Sequence, residues 1–234
     1  KIAISDLFLS ELENIHGKTF KFNNKNNLWN NPKFCNLIIN LRNNNPINFS
    51  KLYNIIKNNP LLLDILNDKK IISISKKILN IKYHNIWNGE FMIRIDVPED
   101  TRNVIGWHQE ANYYKKQTKD GQNGIVYWIA LSESIKKVNG AVMVKENSHR
   151  IGLIKATKFQ ETKSKLINKF KSVTFRSDKK NIKKFKTKTI ETKIGDLIGM
   201  DMRLFHQSGK NNSKIIRLAC INRIFDTSSK SWPN

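Results

Sequence analysis

The hydrophobic period of this chain changes near Trp87, and that change limits the fold more than any other feature. Before it, apolar residues recur at helical spacing. Asp6 to Ile15 carries Leu7, Leu9, Leu12 and Ile15 among charges, with Ser5 placed to cap. Phe22 to Asn31 is Asn-rich and reads as loop. Leu52 to Ile56 and Leu61 to Leu66 flank Pro60, which reads as the start of a helix, and Lys69 to Asn80 reads as another short one. After Trp87 come short apolar runs punctuated by Gly, Asn and Asp. They are Phe91 to Val97, Ile125 to Leu131, Ala141 to Lys145, Thr189 to Ile194, Arg203 to His206 and Ile215 to Phe225. Short strands at this spacing predict a sandwich or jelly-roll barrel. The expected class is mainly β with flanking helices. At 234 residues the chain fits a single domain, 1–234, with a mostly helical part over 1–90 and a jelly-roll core over 91–225. Residues 152–188 break the strand pattern and read as a Lys-rich insertion, densest at Lys179, Lys180, Lys183, Lys184, Lys186 and Lys188. Its default meaning is a solvated surface, and its sharper meaning is a lid that faces substrate.

The net charge of +23 suggests an anionic partner: nucleic acid, an anionic surface or an anionic substrate. Part of it reflects codon usage, since Lys, Asn and Ile are all AT-rich choices and only 8 of the 42 cationic residues are arginine. That bias leaves the shortage of acids unexplained, because Asp and Glu codons tolerate AT-rich genomes equally well. No run of eighteen apolar residues occurs, so no membrane span is expected. Cys35 and Cys220 do not make a disulfide scaffold, and both fit a reducing cytoplasm, the expected location.

Three residues suggest a metal. His108 and Glu110 are two apart, so in an extended segment both side chains point to one side. His206 lies in a second strand-like run, with Arg217 in the run after it and a turn-rich stretch, Gln207 to Lys214, between them. A hairpin centred on Asn211-Asn212 would pair His206 directly with Arg217, their Cβ atoms roughly 5 Å apart, with Ser208 on the same face. Two histidines and a carboxylate suit one face of Fe(II) and leave the other face open. Arginine does not bind cations but grips carboxylates in a fork. A cation site beside such a clamp suits a small chelating acid such as 2-oxoglutarate. Each residue also has a plain alternative: a strand histidine is usually a core or surface residue, a strand arginine an edge residue, and Glu110 has many lysines to pair with.

The whole set resembles the phytanoyl-CoA dioxygenase family of Fe(II)- and 2-oxoglutarate-dependent oxygenases. Trp107-His108-Gln109-Glu110 resembles its His-x-Asp ligand pair, and Val126-Tyr127-Trp128-Ile129-Ala130-Leu131 with Asn139-Gly140-Ala141 resembles its Trp-x-Ala strand and Asn-Gly turn. Glu146-Asn147-Ser148-His149-Arg150 is similar to the Pro-Gly-Ser-His segment, and His206-Gln207-Ser208-Gly209 with Arg217 is similar to the distal ligand and co-substrate arginine. The resemblance implies a double-stranded β-helix of cupin-like kind. It implies Fe(II) held by His108, Glu110 and His206 as metal ligands and catalytic centre, with 2-oxoglutarate and O2 as co-substrates. Arg217 and Ser208 would hold the distal carboxylate of 2-oxoglutarate, Trp128 would line its pocket, and Arg94 would match a family lysine near it. His149 would have a hydrogen-bonding role rather than a metal-binding one. Two departures stand out: Glu110 for the usual aspartate, and Glu146-Asn147 for Pro-Gly. Halogenating relatives have Gly or Ala at the carboxylate position, so Glu110 implies hydroxylation of an unactivated C–H bond or a related oxidation. The expected partner is a small anionic metabolite, or a lipid- or sugar-linked one. The alternative is a nucleic-acid-binding or nucleic-acid-oxidising protein that uses the basic surface, but no nucleic-acid-binding signature appears.

Overall fold

A computed structural model describes residues 2–22, 25–101, 104–114, 123–132, 135–162 and 171–230. Five helices come first: α1 (Ile2–His16), α2 (Pro32–Asn44), α3 (Pro46–Lys57), α4 (Pro60–Leu66) and α5 (Lys69–Leu79). Three of them begin at an Asn-Pro step. The side chain of Asn31 accepts from the backbone N–H groups of Lys33 and Phe34, that of Asn45 from Asn48, and that of Asn59 from Leu61. Proline follows at the first helical position, where its missing N–H is not needed and its φ already suits the helix. Two local expectations are corrected. Ser5 is fully buried inside α1 rather than capping it. The stretch read as loop up to Asn31 contains a 3-10 turn, Lys25–Asn30.

The strands are β1 (Ile86–Asp96), β2 (Gly124–Ala130), β3 (Val142–Lys145), β4 (Thr157–Thr162), β5 (Lys171–Arg176), β6 (Thr187–Ile190), β7 (Leu197–Asp201), β8 (His206–Ser208) and β9 (Arg217–Asp226), with a short helix α6 (Lys179–Ile182) after β5. The larger sheet runs β1-β9-β2-β7 and the smaller β6-β3-β8. Every pairing is antiparallel. Reciprocal backbone bonds between His108 and His206 attach a further extended segment to β8.

Strand β2 explains how the layers stack. All seven of its residues are buried, because both of its faces are covered. Successive strand side chains point to opposite faces. Ile125, Tyr127 and Ile129 pack with Leu218, Cys220 and Ile224 of β9 beneath the helices. Val126, Trp128 and Ala130 pack with Ala219 and Ile221 against Val142 and Val144 of the smaller sheet. One face therefore buries against helix and the other against sheet. Ser75 of α5 bonds the Tyr127 hydroxyl at 2.8 Å, tying the helical layer to the centre of the sheet. Burial pushes the Cys220 thiol up to about 12, so this residue serves as apolar filling. The arrangement is the jelly-roll fold that the strand spacing predicts, of the cupin-like kind that the family resemblance implies. Among the described residues no helix is long and apolar enough to cross a membrane.

The Lys-rich region contains a β4–β5 antiparallel ribbon. Residues 163–170 of it lie outside the described residues. The ribbon reaches the interior through Phe175, whose ring meets Tyr113 edge-on at 5.0 Å.

Candidate metal centre

His108, Glu110 and His206 converge, all three buried, with one ligand atom from each lying within 4.8 Å of the others. The backbone dictates this. Gln109 is extended (φ −109, ψ 131), so its neighbours share a face while its own side chain points away. That side chain is fully buried and acts as a staple. Its Nε2 donates to the carbonyls of Gly152 and Arg203, and its Oε1 accepts from Ile154 N at 2.8 Å. The His108–His206 bridge then sets the two imidazoles 4.2 Å apart, centroid to centroid.

Each imidazole is oriented from behind. His108 Nδ1 lies 2.8 Å from Gly106 O and His206 Nδ1 lies 3.0 Å from Leu204 O. A carbonyl only accepts, so each Nδ1 carries a proton, and Nε2 is the ring atom turned to the centre as a metal donor. Burial and the nearby His206 ring hold His108 below the usual imidazole value, against the pull of Glu110. A neutral imidazole is the form that binds a metal. Glu110 Oε2 lies 3.8 Å from His108 Nε2 and 3.7 Å from His206 Nε2. Its other oxygen, Oε1, accepts from Arg223 Nε at 2.6 Å. Burial opposes the charge of Glu110, but Arg223 and the two histidines outweigh it and hold the carboxyl well below its usual range. Two imidazole nitrogens and one carboxylate, buried and preset, make a donor set that fits Fe(II).

The cluster opens on a small cavity lined also by Arg94, Trp128 and Ser208. Arg94 is shared with a neighbouring cavity of about 210 Å³ lined by Phe49, Tyr53 and Ile105. Arg94 Nη1 lies 3.5 Å from Ser208 Oγ, and its Nη2 lies 3.2 Å from Asp96 Oδ1.

Arg217 sits one layer back. It is 1% exposed, its Nε lies 3.0 Å from Asp96 Oδ2 with Nη2 bonding the same oxygen, and its guanidinium carbon is 5.5 Å from the Trp128 ring. Its Nη1 is buried with no hydrogen-bond partner among the described residues. Gly140 (φ +90) makes room for it, since a Cβ there would come within 2.5 Å of that nitrogen. The expected hairpin register is overturned. His206 pairs with Val144 of β3, and Arg217 pairs with Asp96 of β1, in the other sheet. Asn211, meant as the turn, is 2% exposed and ties the chain across instead, donating to the carbonyls of Asp96 and Ile215. His206 and Ser208 still share the cavity face. In the Ser148-His149 segment the buried hydrogen bond belongs to Ser148, whose Oγ accepts from Phe205 N at 2.9 Å. Asn147 takes the left-handed conformation (φ 60), which asparagine tolerates among non-glycine residues.

Asp96 and Arg223 were not singled out in the sequence. Asp96 is 4% exposed and joins Arg94 to Arg217. Burial alone would raise its carboxyl, but the two arginines outweigh that and hold it below the ordinary 3.8. A depressed carboxylate stabilises the fold above its unfolded-state value, and that share is lost as pH falls toward the lower folded value. Asp96→Ala is expected to cost about 3–5 kcal/mol in urea unfolding at neutral pH, because it removes a carboxylate that two buried cations share. A loss under 1 kcal/mol would mean that the arginines find other partners.

A family model described as phytanoyl-CoA dioxygenase matches residues 11–219. The chain belongs to the phytanoyl-CoA dioxygenase family. Its cluster of two histidines and a glutamate is a donor set that could hold a metal ion. Solved structures share the fold at low identity. The epimerase SnoN, in complex with Fe3+, alpha ketoglutarate and nogalamycin RO, matches with a TM-score of 0.56 at 12% identity over 75% of this chain and 62% of that one. EctD from S. alaskensis with bound Fe matches with a TM-score of 0.53 at 14% identity, over 71% of this chain and 53% of that one. EvdO2 from Micromonospora carbonacea var. aurantiaca, complexed with 2-oxoglutarate, gives 0.53 at 14% over 71% and 63%. This chain therefore spans less than two-thirds of each of these proteins. No curated protein matches the sequence.

Proposed function

We propose that the chain is an Fe(II)- and 2-oxoglutarate-dependent hydroxylase of a small anionic metabolite. The observation that carries this reading is the buried His108–Glu110–His206 cluster, with both imidazoles preset by backbone carbonyls and opening on a cavity with cations at its far end. Bound iron would supply the activation of O2, with 2-oxoglutarate going to succinate and carbon dioxide and one oxygen atom going to substrate. His108, Glu110 and His206 hold the ion. Arg94 and Ser208 take the distal carboxylate of 2-oxoglutarate from the cavity side, and Arg217 braces it from behind through Asp96 and its own unbonded Nη1. Trp128 packs the co-substrate, and Val126, Met200 and Ile221 keep water out.

The roof of the site supports an anionic substrate. Tyr113 lies edge-on to His108 at 5.9 Å and carries Phe175 of the Lys-rich ribbon on its other side. The ribbon and the turn after it expose Lys158, Arg176, Lys179, Lys180 and Lys183. Exposed cations on the ribbon that packs against Tyr113 favour a phosphate or carboxylate. The reading of a nucleic-acid protein gains no support from the family or the fold.

The test is the Fe(II)-loaded protein with 2-oxoglutarate and a metabolite library, scored for succinate release and for a product heavier by one oxygen atom. Turnover with no gain of oxygen would replace hydroxylation by another oxidation. Turnover confined to uncharged compounds would remove the role of the basic roof. In the same assay Glu110→Asp is expected to retain part of the activity and Glu110→Ala to lose it. Full hydroxylation by the alanine form would show that Glu110 is not a ligand.

A further inference from the structure

We propose that Arg223 is a positioning residue of the metal centre, tethering one oxygen of Glu110 so that the carboxylate offers the ion its other oxygen alone. The proposal rests on the metal-centre reading above. Its basis is a division of labour on one carboxylate. Oε1 is held by Arg223 Nε at 2.6 Å, while Oε2 faces the two Nε2 atoms at 3.7 and 3.8 Å. The tether is stiff at its root. Arg223 sits on β9 between β1 and β2, in register with Val126 on one side and Glu90 on the other. Both charged side chains are largely withdrawn from solvent, at 12% and 6% exposed.

The longer ligand explains why a tether is needed. Glutamate has one more rotatable bond than the aspartate of the family pattern. A free glutamate can turn and offer both oxygens to an ion. The second oxygen would then take a position that a chelating co-substrate needs. Arg223 prevents this by occupying Oε1, and it holds the extra methylene in one conformation. Two other roles are possible for an arginine here: a plain structural ion pair, or an anchor for an anionic substrate. Neither predicts a change in the metal's own coordination.

The experiment is anaerobic titration with Co(II), whose visible absorption reports its ligands, without co-substrate or substrate. Wild-type protein is expected to bind one equivalent. Arg223→Met is expected to weaken binding about 10- to 100-fold, the usual cost of losing an outer partner of a ligand, and to change the Co(II) spectrum as the second glutamate oxygen enters. Arg223→Lys keeps a cation able to hold Oε1 and should recover the wild-type spectrum. In a Glu110→Asp background the shorter carboxylate cannot reach both Arg223 and the histidines, so adding Arg223→Met should change affinity within only about twofold. Should Arg223→Met not fold, Arg223→Gln, which keeps an N–H donor and loses the charge, replaces it in the cycle. Wild-type affinity and spectrum in the folded Arg223 variant, even with a lowered melting temperature, would overturn the proposal and leave the metal centre standing. Failure of the wild-type protein to bind Co(II) would remove the metal centre itself, and the proposal with it.

Discussion

His206→Ala is expected to end stoichiometric Fe(II) binding and reduce oxygenase turnover to background. His206 supplies one of three donors. Its ring also packs against that of His108, centroids 4.2 Å apart, so truncation loosens a second donor. Glu110 Oε2 loses one of its two imidazole neighbours as well. The loss should exceed the roughly 10- to 100-fold that an outer-shell partner is worth, since a ligand itself is gone. The alanine keeps the backbone bridge, so the fold should survive, which circular dichroism checks. The measurement is anaerobic Fe(II) titration at equal protein concentration. One equivalent bound at unchanged affinity would mean that His206 is a core histidine and that the iron lies elsewhere.

The sequence made the local chemistry legible and hid the long-range pairings. His108 and Glu110 were readable because strand alternation is a local rule, and the residue between them is extended as that rule assumes. The starts of α2, α3 and α4 were equally readable in three Asn-Pro steps, yet only Pro60 was used. The polar run of asparagines concealed α2, although Phe34, Cys35, Ile38 and Leu41 form a buried stripe at helical spacing. The hairpin between His206 and Arg217 failed for a physical reason. Turn residues show that a chain reverses, not which sheet receives it. Asn211 bonds Asp96 and bridges Asn139, so β8 joins the smaller sheet and β9 the larger. Arg223 carried a usable signal. It lies six residues beyond Arg217 on a strand whose alternate residues Ala219, Ile221 and Phe225 face the inner core. A charge on that face requires a buried acid, and Glu110 is the acid it meets. Asp96 follows the same logic, two residues from Arg94 on β1.

The other large effect concerns the co-substrate. Arg94→Leu is expected to weaken 2-oxoglutarate binding roughly 30-fold to several-thousand-fold, the equivalent of about 2–5 kcal/mol for losing a buried charged partner. Iron binding should be unchanged, because arginine is not a ligand. Arg94 and Arg217 both bond the carboxylate of Asp96, so two guanidinium groups stand together at this end of the site. Arg94 faces that cavity beside Ser208, and Arg217 lies behind it against Gly140 and Trp128. A distal carboxylate seated there would accept charge-assisted hydrogen bonds from Arg94, and Arg217 Nη1, which has no hydrogen-bond partner among the described residues, is a second donor nearby. Arg217→Leu should also weaken binding, and it should additionally destabilise the fold, because it strips Asp96 of its closest partner. Anaerobic titration of 2-oxoglutarate into the Fe(II)-loaded variants, run beside urea unfolding, separates the two arginines. Equal co-substrate affinity in wild type and Arg94→Leu, with a large loss in Arg217→Leu, would make Arg217 the clamp. Asp96 would then have to release it when 2-oxoglutarate binds, and the Arg94 assignment would be wrong.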